Sequence, residues 1–290
     1  MKAHQEAPDA LSGEQFFERA RARLTLDVPH GLNDPNVIPA HGDHEPDPVM
    51  EKIASIRPIR PAAVLVPVIA REQPMVLLTT RAAHLRDHSG QVSFPGGKID
   101  SADDSPATAA LREAEEEIGL SRSAAKPIGY LDLYMTTLGF RIVPVIAQLE
   151  TNFQLALNKA EVDEVFEVPL AFVMDQANHQ RHSREWQGMT RYYYAIPYGE
   201  RYIWGVTAGI LRNLYVRGLV TKDFQPIPES MPLVEFVRYV TRTHYDYFPV
   251  VDDKGAITGI LSMPTTCAPV SSSTTGICSK PSVEMTFIAS

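Results

Sequence analysis

The stretch that decides the fold reads GGKIDSADDSPATAALREAEEEIGL and runs from Gly96 to Leu120. Its acidic residues Glu113, Glu116 and Glu117 are three and four positions apart, so one stripe of a helix can carry all of them. Carboxylates packed this closely repel each other unless a hard cation lies between them. The pattern therefore predicts a Mg²⁺ or Mn²⁺ site on which the three carboxylates converge.

The helix that carries these acids is marked at both ends. Asp104 or Ser105 can act as the N-cap, and Pro106 suits the first turn, where no amide donor is needed. Gly119 can close the C-terminus. The sequence therefore predicts a short capped helix between these residues.

An acidic stripe on a helix is usually just a solvated face. Here a glycine pair precedes the helix and a Gly-Leu pair ends it. In addition, Arg112 lies four residues before Glu116 and can hold a carboxylate by a forked hydrogen bond. Together these features favour a functional site over a solvated face.

The same stretch resembles the signature of the Nudix hydrolases, G-x5-E-x7-R-E-U-x-E-E-x-G-U, in which U is aliphatic. Residues 112–120 match its second half. The first half departs from it, because Asp104 stands where Glu is expected and Lys98 stands where Gly is expected. Gly97 is thus displaced by one residue, and a one-residue insertion in the turn would explain the shift.

This resemblance implies an α/β fold, the Nudix-type α/β/α sandwich with a mixed sheet, and metal-dependent hydrolysis of a pyrophosphate bond. It implies that the main-chain carbonyl of Gly97 joins the carboxylates as a metal ligand. It also implies that Arg112, Glu113 and Glu116 belong to the catalytic machinery.

The general base stays open in this reading. It can be a glutamate of the helix or a carboxylate from a later loop. The segment NKAEVDEVFEVPL offers Glu161 and Glu164 for the second case. The alternative for both residues is an ordinary acid at the start of a helix.

The displacement of Gly97 indicates a loop one residue longer than in the signature. A similar longer loop is typical of the coenzyme A pyrophosphatase branch of the family. Residues 76–100, VLLTTRAAHLRDHSGQVSFPGGKID, and residues 202–214, YIWGVTAGILRNL, are similar to segments of that branch. The resemblance implies coenzyme A or a related nucleotide pyrophosphate as substrate. Taken without the flanking pattern, the cations of this loop would be ordinary surface residues. The candidate substrate-binding residues are Arg81, Arg86, His88, Gln91, Ser93, Phe94 and Lys98.

Composition is typical of a cytoplasmic enzyme. The chain has 290 residues, 44% of them hydrophobic, which is enough for one domain with an appendage. Its net charge of -8 argues against general binding of nucleic acid or an anionic membrane. The first residues predict no secretory signal, and Cys267 and Cys278 alone predict no disulfide framework.

The chain divides into four predicted parts. Residues 1–58 contain a predicted helix, Gly13 to Arg23, followed by a Pro-rich arm. This arm is either a loop that lies over the domain or a flexible segment. Residues 59–221 form the hydrolase domain. The arm's histidines, His30, His41 and His44, have irregular spacing, so a metal site there is the less favoured reading. Predicted strands and the closing helix are Ala62–Ala70, Val76–Thr80, Ile128–Tyr134, Ile142–Glu150, Arg191–Pro197, Tyr202–Trp204 and Thr207–Leu219.

Residues 222–263 form the third part. Within it, Met231 to Met263 resembles the first two-thirds of a CBS motif, giving an incomplete β-α-β appendage. Such motifs pair to bind adenine nucleotides, so an adenine nucleotide is an expected ligand if this segment is functional. The Ser/Thr-rich residues 264–290 predict a disordered tail. A truncated or frameshifted gene fusion is our hypothesis for this arrangement.

Two other functions stay open at this stage. One is a broader Nudix pyrophosphohydrolase that acts on ADP-ribose, dinucleotides or nucleoside diphosphates. The other is a protein that senses nucleotides through a Nudix fold and the CBS-like segment. The intact carboxylate triad favours turnover over sensing, since a pure sensor does not need all three acids.

Overall fold

The computed structural model describes residues 12–47, 50, 52, 56–186, 188–216, 227–232, 234–236, 247–252 and 257–262. The chain forms two compact units, Met1–Val220 and Thr221–Ser290. The predicted disordered tail, 264–290, lies outside the described residues. No helix within the described residues is long and apolar enough to cross a membrane.

The first unit is built on a mixed sheet of nine strands. Its centre is the parallel pair β2 (Arg60–Ile69) and β8 (Phe140–Leu149). Strand β3 (Met75–Arg81) runs antiparallel to β2, and β9 (Val162–Pro169) runs antiparallel to β3. The remaining strands are β1 (His41–Gly42), β4 (Val92–Ser93), β5 (Gly96–Lys98), β6 (Ala125–Tyr130) and β7 (Tyr134–Met135).

Helices cover both faces of this sheet. The helices are α1 (Gly13–Arg23), α2 (Pro106–Ile118), α3 (Leu170–Val173) and α4 (Val206–Val216). Side chains of α1 and α4 share one core with Val66 and Val68 of β2, whereas α2 packs with Leu65 and Ile69 in a second core. Because alternate residues of a strand point to opposite faces, β2 supplies both cores. The predicted α/β/α sandwich is confirmed.

A second, three-stranded antiparallel sheet belongs to the same unit. It consists of β10 (Gln180–Trp186), β11 (Met189–Tyr198) and β12 (Arg201–Trp204). Ile196 and Ile203 from this sheet are buried in the core of α1 and α4. Strands β11 and β12 agree with the prediction within a few residues, whereas β9 and β10 were missed. The predicted strand at 128–134 is in fact two strands, β6 and β7.

The N-terminal arm is docked on the domain, as one of the two readings expected. Strand β1 pairs in parallel with β7 at the edge of the main sheet. The Asp43 carboxylate accepts hydrogen bonds from the Tyr134 hydroxyl at 3.1 Å and from the Thr137 amide at 2.8 Å. His41 lies 3.1 Å from Glu45 Oε1, and its Nε2 lies 3.6 Å from a carboxylate oxygen of Asp132.

The second unit is a small sheet with a helical segment. Strand β13 (Ile227–Pro228) is parallel to β14 (Tyr247–Val251), which is antiparallel to β15 (Ile257–Ser262). Residues 234–236 are helical, and Phe236 packs edge-to-face on Phe248 with ring centroids 5.9 Å apart. This order agrees with the β-α-β arrangement that the sequence predicts.

Candidate active site

Helix α2 begins and ends where its sequence signals it. Ser105, the second of the two predicted N-cap residues, accepts a hydrogen bond from the Thr108 amide at 3.1 Å. Pro106 follows in the first turn, and Gly119 ends the helix in the left-handed region with a φ of 66°. These caps set the rotation of the helix and hence the direction of its glutamates.

The three glutamates differ in exposure. Glu117 is 4% exposed, while the side chains of Glu113 and Glu116 are 18% and 56% exposed. A helix turns by about 100° per residue, so Glu113 lies between the other two around the axis. Glu117 therefore faces the sheet and Glu116 faces the solvent.

The glycine pair lets the backbone approach two of these carboxylates. The Gly96 amide donates a hydrogen bond to Glu117 Oε2 at 3.3 Å. A Cβ atom on Gly97 would lie 2.4 Å from Glu113 Oε1, so any side chain there would displace this carboxylate. Strand β5 and the glutamates can therefore meet only if this position is glycine. A ligand role for the Gly97 carbonyl stays a prediction.

Arg112 ties the helix to the loop before it. Its Nε and Nη2 donate to the two oxygens of Asp103 at 3.1 and 2.9 Å, so the forked hydrogen bond is made to Asp103 and not to Glu116. Nη1 donates to Glu113 at 3.0 Å and to Glu116 at 3.4 Å. Hydrogen bonds from Arg112 hold the pKa of Asp103 below its usual range, and the Asp103 side chain is only 3% exposed.

This pairing corrects the assignment of Asp104. Gly97 and Asp103 are separated by five residues, 98–102, as in the family signature, and Asp103 and Arg112 are separated by eight, 104–111, instead of seven. The extra residue therefore lies between the acid and the arginine, not in the turn before the acid. The extra residue is Asp104, which stands directly before the N-cap Ser105 and is exposed.

The side chains of the three glutamates point in different directions in this structure, and their joint binding of one metal ion stays a prediction. Among the described residues, no three His, Cys, Asp or Glu side chains form a group that could hold a metal ion. The physical reason is that Arg112 draws Glu113 and Glu116 toward its guanidinium group, while Glu117 turns inward to the Gly96 amide.

The charges in the site nevertheless fit a divalent cation. Burial, and to a smaller extent the negative charges of Glu113 and Glu161, raise the pKa of Glu117 from 4.5 to about 7. Burial likewise raises the pKa of Glu113. Buried carboxylates that repel each other are the oxygen ligands that Mg²⁺ and Mn²⁺ prefer.

The two candidate bases lie on opposite sides of the sheet. Glu161 lies close enough to raise the pKa of Glu113 and Glu117, and it accepts a hydrogen bond from Asn158 at 3.0 Å. Glu164 pairs with Thr80 in the ladder of β9 and β3 and forms an ion pair with Arg201. It shares its face with buried Phe166 and Val168 of the core under α1 and α4, so the structure separates it from the helix glutamates. It also lies on a strand, not at the start of a helix.

Arg81 and Ser93 lie on the face that carries α2. Arg81 alternates with Leu77 and Thr79 along β3, and its positive charge lowers the pKa of Glu117. Its Nε is buried and has no hydrogen-bond partner among the described residues. The Ser93 hydroxyl lies 3.0 Å from the Thr79 hydroxyl. Arg81 therefore lies near Glu117, and Ser93 lies on the same face of the sheet.

The other predicted substrate-binding residues are more dispersed. Arg86 and His88 are exposed in the loop between β3 and β4, and His88 Nδ1 lies 2.9 Å from Gln91 Oε1. Lys98 is exposed as well. Phe94 is 4% exposed and belongs to the core under α1 and α4, so its assignment to substrate binding is wrong.

Comparison with known proteins follows the same division of the chain. The NUDIX domain family matches residues 59–187, and the CBS domain family matches residues 216–263. The chain is similar to "Uncharacterized Nudix hydrolase NudL" of Salmonella paratyphi B and of Salmonella newport. Each is 42% identical over 155 residues, which is 53% of this chain and 81% of the relative. The chain therefore belongs to the Nudix hydrolase family.

Solved structures of the family also match at lower similarity. A NUDIX hydrolase from Alicyclobacillus acidocaldarius is 20% identical, covers 56% of this chain and 93% of its own, and has a TM-score of 0.36. The NUDIX domain of Shewanella oneidensis NrtR, complexed with ADP ribose, is 21% identical, covers 41% and 79%, and has a TM-score of 0.30.

Proposed function

We propose that this protein hydrolyses the pyrophosphate bond of coenzyme A or its thioesters in a reaction that depends on Mg²⁺ or Mn²⁺. The products are 3′,5′-ADP and 4′-phosphopantetheine or its acyl derivative. The observation that carries the proposal is that buried Glu117 and half-buried Glu113 and Glu161 repel each other beside Arg81. The resemblance of residues 76–100 and 202–214 to the coenzyme A pyrophosphatase branch supports the choice of substrate.

The residues that would hold the metal ion are Glu113, Glu116, Glu117 and the carbonyl of Gly97. When bound, the ion neutralises charge on the phosphoryl oxygens and so allows a nucleophile to approach them. Arg112 contributes by fixing Glu113 and Glu116, since its own position is held by Asp103.

Glu161 is the residue best placed to accept a proton from the attacking water. Its carboxylate is held by the Asn158 side chain, whose backbone amide in turn donates to the Glu117 carbonyl at 2.9 Å. As the water oxygen bonds to phosphorus, the anhydride P–O bond breaks and the departing phosphate carries the electron pair away. The Arg81 guanidinium, with its unpaired Nε, can offset charge that develops on the phosphoryl oxygens.

A substrate comparison tests the proposed specificity. Coenzyme A carries a 3′-phosphate that ADP-ribose and NADH lack, so dephospho-coenzyme A should be turned over with clearly lower kcat/KM. Arg81 and Arg86 are the candidates for this contact, and Arg86→Ala should reduce the preference for coenzyme A over its dephospho form. Arg122→Ala is the control, because Arg122 is exposed and paired with Glu115. Equal kcat/KM for coenzyme A, ADP-ribose and NADH would instead support the broader hydrolase.

The match of residues 216–263 to the CBS domain family favours nucleotide sensing as a second candidate. AMP or ATP would then change the rate of the full chain but not of a chain that ends at Thr221. We expect instead that the shortened chain hydrolyses coenzyme A at the full rate, because all residues proposed for chemistry lie before that point. Loss of activity on truncation would contradict this expectation.

A further inference from the structure

The loop between β8 and β9 is fastened to the C-terminal end of helix α2. The last carbonyl groups of a helix have no hydrogen-bond partner within the helix. Here the Asn158 amide donates to the Glu117 carbonyl and the Ala156 amide donates to the Ile118 carbonyl, both at 2.9 Å. Leu157, which lies between the two donors, packs against the core that α2 shares. This part of the loop is therefore held to the helix that carries the glutamates.

Asn158 uses both ends of its side chain as well as its backbone at this junction. Its Nδ2 donates to Glu161 Oε1 at 3.0 Å, and its Oδ1 accepts a hydrogen bond from the Ala160 amide at 3.1 Å. Its carbonyl accepts hydrogen bonds from the amides of Glu161 and Val162, both at 2.9 Å. An asparagine side chain offers a donor and an acceptor at once, whereas an aspartate of similar size offers only acceptors.

The backbone of Glu161 is fixed from a second side. The Ala82 amide, directly after the last residue of β3, donates to the Glu161 carbonyl at 2.8 Å. The Glu161 side chain still has several rotatable bonds, and a glutamate side chain loses much rotamer freedom when it is held in one orientation. The hydrogen bond from Asn158 Nδ2 selects one of these orientations.

We propose that Asn158 is a positioning residue, which holds the Glu161 carboxylate in the orientation that accepts a proton from the attacking water. The inference rests on the proposed function and on the role of Glu161 in it. Because the backbone of Asn158 is bonded to Glu117, its side chain fixes Glu161 relative to helix α2 and not only within the loop. A misplacement of about 1 Å near the reacting atoms can cost on the order of a hundredfold in rate.

Two variants of Asn158 separate this role from a role in the turn. Asn158→Asp keeps an acceptor for the Ala160 amide but replaces the donor with a negative charge beside Glu161. Asn158→Ala removes both groups. We expect kcat at saturating Mg²⁺ to fall about tenfold or more in both variants, with KM for coenzyme A within about twofold of wild type. Wild-type kcat in Asn158→Asp, or a rise in KM without a fall in kcat, would overturn the proposal.

A double-mutant cycle tests whether Asn158 acts through Glu161. When Glu161 is already glutamine, Asn158 has no general base left to position. The double variant Asn158→Ala/Glu161→Gln should therefore have a kcat within about twofold of Glu161→Gln alone. Two independent losses of about tenfold would instead multiply to about a hundredfold, and this result would overturn the proposal.

Asn178→Ala is the matched control for a loss of structure. Asn178 is also half-buried, and its Nδ2 donates to the Phe172 carbonyl at 2.9 Å in the turn between α3 and β10. We expect Asn178→Ala to lower the urea unfolding midpoint in EDTA about as much as Asn158→Ala does, but to leave kcat within about twofold of wild type. An equal fall of kcat in Asn178→Ala would show that kcat follows stability, and the positioning role would be overturned.

The same measurements separate this proposal from the proposed function. If the wild-type chain hydrolysed ADP-ribose but not coenzyme A, the proposed substrate alone would fail, and the cycle would be measured with ADP-ribose. If the wild-type chain hydrolysed coenzyme A and Glu161→Gln kept its full kcat, the positioning role would be overturned. Hydrolysis of coenzyme A would stand in that case, with another residue as the base.

Discussion

Glu117→Gln should make the metal-free protein more stable and the enzyme far less active. Glu117 is 4% exposed, and burial raises its pKa from 4.5 to about 7. The charges of Glu113 and Glu161 act in the same direction, while the Gly96 amide and Arg81 oppose the shift. Glutamine keeps the size of the side chain, and its amide oxygen can still accept the hydrogen bond from Gly96.

The size of the effect follows from the difference between the folded and unfolded pKa. The folded protein binds this proton more tightly, so the free energy of unfolding falls as pH rises from 4.5 to about 7 and then levels off. A difference of 7 minus 4.5, or 2.5 units, corresponds to about 3 kcal/mol as an upper limit. We expect Glu117→Gln to gain about 1–3 kcal/mol over wild type at pH 8 and almost nothing near pH 4.5.

Urea unfolding of both proteins in EDTA across this pH range measures the gain in stability. Activity at saturating Mg²⁺ should fall by roughly a hundredfold. Glu115→Gln is the control, since Glu115 is 46% exposed, is paired with Arg122 and should change neither quantity much. A variant that is less stable than wild type at pH 8 without metal would refute the argument from desolvation. Near-normal activity would refute the role of Glu117 as a metal ligand.

Three other changes test neighbouring parts of the structure. Asp103→Asn should lower the free energy of unfolding by about 2 kcal/mol and reduce activity, because it weakens the forked hydrogen bond from Arg112. Asp104 is exposed, so Asp104→Asn should change neither quantity. Equal effects of the two variants would contradict the assignment of Asp103 as the partner of Arg112. Glu161→Gln should reduce kcat at least about tenfold and Glu164→Gln less than about twofold, and the reverse order would place the base on the other face. Burial lowers the pKa of His41, but two neighbouring carboxylates outweigh it and raise the pKa to about 9. The charged His41 therefore stabilises the folded protein fully below about pH 6.5, and this contribution is lost as pH rises through about 9. His41→Gln should flatten the dependence of the urea unfolding midpoint on pH in this range. An unchanged dependence would show that His41 does not titrate there.

Elements with a strong periodic pattern or clear caps could be predicted from the sequence. Helix α1 has its predicted bounds, and Ser105, Pro106 and Gly119 frame α2 as expected. Strand β9 was not predicted, because the three acids in VDEVFEVP interrupt its apolar alternation. Strand β10, QRHSREW, has almost no apolar residues, so only its pairing with β11 makes it a strand.

The candidate site shows the same limit at the level of single residues. Helical periodicity places Glu113, Glu116 and Glu117 on one stripe, but their different exposure depends on how α2 is rotated against β5. A loop has no periodic pattern of this kind. The local sequence therefore does not show whether Asp103 or Asp104 accepts the hydrogen bonds from Arg112. Only the structure shows that the extra residue lies after Asp103.

Residues far apart in the sequence meet at this site because of the side of the sheet on which each one lies. Arg81 at the end of β3, Ser93 in β4 and Glu161 just before β9 all border the face that carries α2. Glu164 is only three residues after Glu161, yet it lies on the opposite face with Phe166. A shift of one residue in the pairing of β3 and β9 would exchange these faces. The proposal of Glu161 over Glu164 as general base therefore rests on strand register, which sequence proximity alone does not reveal.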